Sequence, residues 1–291
     1  MGKRVLALLM VLFVSAFMVS CGSNTTSSTY AKSKKPSVKS KCAIVVELKS
    51  GKVVYSKNAD RKTRPASMEK IMVALVALNN IKDLDERYAT NKKDYDYIKT
   101  LGPGNSTGFA IGEEATMRDY LYGIMMWSKA DAAMTVARYC GGGSIDKFIK
   151  MENAYAKKIG LKHSHFDNVI GFDSKGTYMT CSDYAKLLRC AMKNKLFKKM
   201  FTGSTYTIQP NNKRKTAKKI THAELTIAGK NSLIKGGKRG YTDKAQKTLA
   251  AYGKFNGKEY ISVTTEAKGT KADPYPNFAD TENLYEYIKN K

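Results

Sequence analysis

The chain has 291 residues, which is enough for one large domain or two small ones with an ample core. It carries 51 Lys and Arg residues against 25 Asp and Glu residues, a formal net charge of +26 at pH 7. The spacing of its five cysteines matches neither a zinc site nor a redox Cys-x-x-Cys motif, so the sequence carries neither motif.

The first twenty residues have the order of an export signal. Lys3 and Arg4 form a basic start, an apolar run follows over 5–19, and small residues lead to Cys21. This ending resembles a bacterial lipobox, which implies that Cys21 is lipidated and becomes the mature N-terminus. An uncleaved membrane anchor is the alternative, although the run is short for a full span. Both interpretations put the rest of the chain outside the cytoplasm, and we expect a lipoprotein on the outer face of the cytoplasmic membrane.

Residues 21–41 are rich in Ser, Thr and Lys and predict a flexible tether, which is followed by a single domain over 42–291. Loss of the signal removes two positive charges and leaves +24. Because an exported protein rarely meets nucleic acid, we expect anionic lipid headgroups or anionic wall polymers as neighbours instead. The basic run over 213–219 predicts a solvated hairpin tip, with a dedicated binding role as the alternative.

The apolar spacing predicts strands at both ends of the domain and helices between them. A β-hairpin is predicted over 42–48 and 52–56, and an apolar helix begins at Ser67. The other predicted helices are 116–126, 132–140, 182–193 and 281–289, and the other predicted strands are 206–209, 219–227, 247–254 and 259–266. This order predicts one α/β domain whose sheet joins both chain ends.

A serine and a lysine stand one helical turn apart at the start of the apolar helix. Ser67 and Lys70 share a helix face, so the amine can reach the hydroxyl. A serine hydroxyl needs a base to become nucleophilic, and a buried lysine of lowered pKa can supply it. The helix N-terminus favours a developing oxyanion nearby. An ordinary helix start with a surface lysine is the alternative for a lone match of this kind.

Several ordered motifs carry a family resemblance. They are Pro65-Ala66-Ser67-x-x-Lys70, Gly112-Glu113 before Tyr120-Leu121-Tyr122-Gly123, Ser128-x-x-Asp131, Leu161-Lys162 before Asn168 and Gly171, and Gly237-Lys238-Arg239-Gly240-Tyr241-Thr242. Over roughly 42–268 the chain resembles the D-alanyl-D-alanine carboxypeptidases, penicillin-binding serine peptidases of family S11. The resemblance implies an α/β (α+β) β-lactamase/transpeptidase-like fold, with an antiparallel sheet formed by both chain ends and flanked by helices.

The resemblance also implies roles for particular residues. Ser67 would be the acylated nucleophile, Lys70 its base, and Ser128 the relay of a proton to the departing D-alanine. Lys238 would bind the terminal carboxylate, and the backbone N–H groups of Ser67 and Tyr241 would form an oxyanion hole. The implied substrate is the stem peptide of peptidoglycan, β-lactams are the implied covalent ligands, and no cofactor is implied.

Two of the family's motifs are altered. Ala130 replaces the asparagine of Ser-x-Asn, and Arg239 replaces the threonine of Lys-Thr-Gly, where it could bind the carboxylate or fill the pocket. Gln246 replaces a small residue. We therefore consider two hypotheses: a working, slow or retuned carboxypeptidase, and a catalytically inactive homologue that binds wall peptide or a partner protein. A β-lactamase is a weaker third, because no Glu-x-x-x-Asn motif stands between Ser128 and Lys238.

The remaining polar signals predict no further site. His163 and His165 alternate without a third ligand, so we expect no metal there. His222 has no evident acidic partner and is predicted to lie on a strand face. The pairing of the four cysteines after Cys21 stays open.

Overall fold

The computed structural model describes residues 36–102 and 106–291. Its strands are β1 Cys42–Glu47, β2 Val53–Lys57, β3 Arg87–Ala89, β4 Glu114–Thr116, β5 Thr205–Ile208, β6 Lys218–Thr221, β7 Ile234–Thr242, β8 Gln246–Phe255 and β9 Lys258–Ala267. Its helices are α1 Lys70–Asn80, α2 Lys92–Thr100, α3 Met117–Trp127, α4 Ala130–Cys140, α5 Ile145–Lys158, α6 Cys181–Ala191, α7 Lys195–Thr202, α8 Ala223–Ala228 and α9 Pro276–Lys289, and a 3-10 helix, Ala66–Glu69, precedes α1.

A five-stranded antiparallel sheet joins the two ends of the described chain. Its strand order is β2-β1-β9-β8-β7, so the N-terminal hairpin pairs with the C-terminal strands. Alternate residues of β1 face opposite layers, as the two-residue period of a strand requires. Ile44 and Val46 pack with the larger helical layer, whereas Ala43 and Val45 pack with α9. The predicted mixed fold with a sheet built from both chain ends is confirmed.

Helix α1 forms the centre of the larger helical layer. Residues 70–77 are all buried, because α3, α4, α5 and α6 surround the helix. A helix that is apolar on every side is stable only in such a core. The 3-10 turn before it carries Ser67, so the core fixes the position of that side chain relative to the sheet.

The predicted strand over 219–227 is wrong in its second half. Strand β6 ends at Thr221, where its pairing with Thr205 of β5 ends, and helix α8 follows. The six predicted residues over 222–227 therefore lie beyond the strand pairing, and the Thr226 N–H instead donates to the His222 carbonyl. Consequently His222 lies at the start of a helix and not on a strand face.

The prediction of a solvated hairpin tip over 213–219 is wrong for Arg214, whose side chain is mostly buried. Its Nε donates to Oε1 of Glu113 over 3.0 Å, and its Nη2 donates to the Gly108 carbonyl over 3.2 Å. Glu113 is almost wholly buried, and a buried carboxylate requires a cationic or hydrogen-bonding partner. The basic run thus folds back onto the loop before β4.

The last residues of the predicted tether contact the folded domain. The Lys39 and Ser40 N–H groups and the Ser40 hydroxyl all donate to the carboxylate of Asp280 on α9, over 2.6–2.8 Å. Ser40 is fully buried. The predicted signal and Cys21 lie outside the described residues, and no helix within 36–102 or 106–291 is long and apolar enough to cross a membrane.

We expect Asp280→Ala to lower the free energy of unfolding by about 1–3 kcal/mol, since the two buried donors of Ser40 and the partly buried N–H of Lys39 lose their acceptor. Chemical denaturation monitored by fluorescence measures this loss. Asp273→Ala is the control, because that carboxylate pairs with the exposed Lys39 ammonium and its removal should have a much smaller effect. Equal losses in the two variants would contradict a structural role for the Asp280 contacts.

Candidate active site

The Ser67 hydroxyl lies against a buried amine. Lys70 Nζ is 3.2 Å from Ser67 Oγ and donates to the Ile170 carbonyl over 2.6 Å. Lys70 is 1% exposed. Burial, followed by the positive charge of Lys238, lowers the pKa of Lys70 to about 7. Near neutral pH a large fraction of this amine is unprotonated and can accept a proton from Ser67.

The backbone around Ser67 is tightly enclosed. Ala66 has a φ of +49°, which is uncommon for a residue with a side chain. A Cβ on Gly171 would lie 2.0 Å from the Ala66 carbonyl oxygen, and one on Gly240 would lie 2.7 Å from the Ser67 nitrogen. Only glycine permits these approaches. The turn before α1 is therefore held between the loop at Gly171 and the edge strand β7.

Ser128 occupies the turn between α3 and α4. It adopts a left-handed conformation with φ of +58°, which ends α3 and directs the chain into α4. Its Oγ accepts a hydrogen bond from Lys238 Nζ over 2.7 Å. Ala130 follows as a fully buried methyl group whose N–H donates to the Ser106 carbonyl. The position two residues after Ser128 thus offers a backbone contact but no side-chain amide.

Lys238 on β7 is fully buried and belongs to a charge network that the sequence analysis missed. Its Nζ is 3.9 Å from Oε1 of Glu224, which also accepts the Arg239 N–H over 3.0 Å. Oε2 of Glu224 is 3.2 Å from Nδ1 of His222. The prediction that His222 lacks an acidic partner is therefore wrong. The His-x-Glu spacing is the signal that could have revealed it, because α8 brings both side chains to β7.

The charges of this network are strongly coupled. Burial lowers the pKa of Lys238 to about 8, although Glu224 opposes that shift. Burial alone would raise the pKa of Glu224, but Lys238, His222 and the Arg239 N–H together hold it at about 2. Glu224 is therefore a carboxylate at neutral pH, and it favours the protonated form of Lys238.

These groups face a common cleft of about 260 Å³. It is lined by Ser67, Ser106, Trp127, Ser128, Ala223, Glu224, Arg239, Gly240, Tyr241, Lys247, Tyr275 and Asn277. The Arg239 guanidinium lies 5.6 Å from the centre of the Tyr275 ring, and its buried Nη1 has no hydrogen-bond partner among the described residues. Tyr241 is half-exposed, with the Lys247 ammonium 4.3 Å from its ring. The cleft thus combines a serine–lysine pair with cationic and aromatic walls.

Of the sequence-predicted site residues, Ser67, Ser128, Arg239 and Tyr241 line the cleft, and Lys70 and Lys238 contact it through the two serines. Cys21 lies outside the described residues. Within 36–102 and 106–291, no three His, Cys, Asp or Glu residues form a group that could hold a metal ion. Cys42, Cys140, Cys181 and Cys190 are free thiols.

The sheet from both chain ends, the central apolar helix and the serine–lysine pair at its start define the penicillin-binding, β-lactamase-like class of fold. A protein-family model described as D-alanyl-D-alanine carboxypeptidase matches residues 29–269, and the chain belongs to this family, peptidase family S11.

Two curated relatives and one solved structure illustrate the similarity. The chain is 30% identical over 237 residues to D-alanyl-D-alanine carboxypeptidase DacF of Bacillus subtilis, which covers 79% of this chain and 58% of that protein. It is 33% identical over 165 residues to a D-alanyl-D-alanine carboxypeptidase of Streptomyces sp. strain K15, covering 54% and 56%. The crystal structure of the Streptomyces K15 DD-transpeptidase has a TM-score of 0.79 at 25% identity, covering 87% of this chain and 98% of that one. The chain spans less than two thirds of the length of these two curated relatives.

We expect Glu224→Gln to move the basic limb of the pH profile for Ser67 acylation to lower pH. Without the carboxylate, the pKa of Lys238 falls below about 8, so the ammonium loses its proton sooner as the pH rises. The acidic limb, which reports Lys70 near 7, should move less. The measurement is the acylation rate with a fluorescent penicillin from about pH 5 to about pH 10, which extends about two pH units beyond the two pKa values.

Glu259→Gln is the matched control, because this carboxylate pairs with Lys198 away from the cleft. It should leave both limbs in place. A basic limb that stays fixed in Glu224→Gln would show that Glu224 does not support the charge of Lys238.

Proposed function

We propose that the chain is a serine-type D-Ala-D-Ala carboxypeptidase that removes the terminal D-alanine from peptidoglycan stem peptides through an acyl-enzyme on Ser67. The observation that carries the proposal is the buried Lys70 amine, 3.2 Å from Ser67 Oγ and held by the Ile170 carbonyl. A lysine with a pKa of about 7 has the right basicity to activate a serine at neutral pH.

In the proposed acylation, Ser67 Oγ attacks the carbonyl carbon of the scissile peptide bond while Lys70 takes its proton. Backbone N–H groups at Ser67 and Tyr241 stabilise the negative oxygen of the tetrahedral intermediate. Ser128 then passes the proton to the leaving nitrogen, the C–N bond breaks, and D-alanine departs. Water next attacks the carbonyl carbon of the ester and gives a proton to Lys70. The bond between that carbon and Ser67 Oγ then breaks, and Lys70 returns the proton to Ser67 Oγ. The same serine would be acylated by β-lactams.

The terminal carboxylate of the substrate is proposed to bind Arg239 and Lys238. Nη1 of Arg239, on the cleft, is buried without a hydrogen-bond partner among the residues that the structure describes, and a guanidinium binds a carboxylate through two parallel hydrogen bonds. Lys238 is fully buried and its Nζ already holds the Ser128 hydroxyl, so its charge also acts on the proton relay. In this proposal Arg239 replaces the lost threonine hydroxyl and does not obstruct the cleft.

Ala130 is the observation that favours the alternative, a homologue that binds wall peptide or a partner protein without hydrolysing it. Its buried methyl group cannot orient a lysine or a substrate carbonyl as an amide would. We propose that the missing side-chain amide at position 130 lowers the rate of catalysis without abolishing it, so that the enzyme is slow. We further propose that the chain is exported, anchored through a lipid on Cys21 and located among anionic wall polymers.

The purified full chain should release D-alanine from an acyl-D-Ala-D-Ala peptide, and Ser67→Ala should reduce release to the background rate, because no nucleophile remains. Ser50→Ala, in the exposed turn between β1 and β2, is the control and should keep the parental rate. No release by a folded protein that still binds the peptide would support the inactive homologue instead.

Arg239→Gln should raise KM for that peptide by about tenfold and change kcat less, since a charge-assisted contact to the carboxylate is lost. Steady-state kinetics with a second peptide, identical except for a C-terminal carboxamide, provides the control. The variant and the parent should differ little on the carboxamide. A fall in KM on the carboxylate peptide would mean that Arg239 obstructs the cleft.

A further inference from the structure

Two lysine side chains converge on one indole ring beside the cleft. The Lys129 ammonium lies 4.5 Å and the Lys218 ammonium 4.3 Å from the centre of the Trp127 ring. Lys129 belongs to the turn after Ser128, whereas Lys218 begins β6, so distant segments bring the two charges together.

The stem of Lys129 is held in place by packing. A Cβ on Gly108 would lie 2.8 Å from the Lys129 Cγ, so the aliphatic part of the Lys129 side chain packs directly against Gly108. Its Nζ also donates to Ser106 Oγ over 3.3 Å. Burial lowers the pKa of Lys129, Asp131 opposes the shift, and the nearby Lys218 adds to it. Packing and the hydrogen bond to Ser106 thus hold Lys129 beside the Trp127 ring despite the positive charge of Lys218.

No carboxylate of the described residues forms an ion pair with Lys129 or Lys218. Asp131 directs Oδ2 to the Tyr95 hydroxyl and to the N–H groups of Gly108 and Phe109. The sequence contains no Asp or Glu in 1–35 or 103–105 either. Two ammonium groups at one ring, neither of them paired with a carboxylate of the described residues, favour the binding of an external anion.

Trp127 connects this pair to the reaction centre. It lines the cleft together with Ser67 and Ser128, and it also lines the adjoining depression formed by 107–110 and the β5–β6 hairpin. Arg239, on strand β7, lines the same cleft, so a substrate bound there by its terminal carboxylate has Trp127 within the same cleft for its acyl portion.

We propose that Lys129, Lys218 and Trp127 form a subsite for a carboxylate on the acyl side of the peptide substrate. This subsite rests on the proposed function and deepens it by naming a preference for an acidic acyl group. Lys129 supplies a positive charge within the segment Ser128-Lys129-Ala130, where Ala130 stands in place of the asparagine of Ser-x-Asn and supplies no amide. The subsite would select acidic peptides over neutral ones before the bond is broken.

The first experiment compares two acyl-D-Ala-D-Ala peptides that differ only in a carboxylate or a carboxamide on the acyl side. The parent should prefer the carboxylate by about tenfold in kcat/KM, the effect of one charge-assisted contact. Lys129→Gln, Lys218→Gln and the double variant should each reduce this ratio, and the double variant should bring it close to one. Lys150→Gln, on the exposed face of α5, is the charge-matched control and should keep the parental ratio. A ratio unchanged in the double variant would overturn the proposal.

A second experiment does not depend on catalysis. Calorimetry with the Ser67→Ala protein measures binding of the same two peptides, so an inactive parent does not hide the subsite. A preference for the carboxylate that is present in Ser67→Ala and reduced when Lys218→Gln is added supports the subsite even if D-alanine release fails. Lys218 belongs to β6, so its replacement changes no residue of the turn that carries Ser128. Lysine-dependent binding of poly(glycerol phosphate) without any peptide preference would reassign the pair to a wall polymer and overturn the proposal.

Discussion

The burial of two lysine ammonium groups in one site is the constraint on which the rest of this structure depends. Lys70 and Lys238 are almost completely removed from solvent, and the positive charge of Lys238 disfavours the ammonium form of Lys70. Burying a cation is costly unless partners replace its water. The Ile170 carbonyl replaces water as a hydrogen-bond acceptor for Lys70, and the Glu224 carboxylate provides a negative charge near Lys238. The two lysines consequently have different affinities for a proton within the same cleft.

The fold serves this arrangement by bringing rigid elements very close together. The 3-10 turn that carries Ser67 lies between β7 and the loop at Gly171, where glycines leave no room for a side chain. Strand β7 pairs with β8, and helix α9 packs against β8 and β9 of the same sheet. The charges therefore face each other at fixed distances, as a site that must stabilise a short-lived anion requires. Strain at Ala66 and Ser128 is borne by this packing.

Much of the fold could be predicted from the sequence, because strands β1, β2, β8 and β9 carry plain apolar patterns. Strand β7 was not predicted as a strand, since Gly236, Gly237 and Gly240 dilute its strand propensity. Helix α8 was mistaken for strand because its six residues are too few to establish a helical period. Ser67, Lys70 and Lys238 were found by motif. Glu224 was missed because its contact with Lys238 depends on how α8 packs against β7.

The central claim is that Lys70 is a base near neutral pH, and its own titration tests that most directly. Protein labelled with 13C-lysine and titrated by NMR, with Lys70 assigned by comparison with Lys70→Arg, gives the pKa of this one amine. The structure predicts a value of about 7, because burial and the charge of Lys238 both disfavour the ammonium form. A value near 10.5, the ordinary pKa of a lysine, would contradict the account and leave Ser67 without its base.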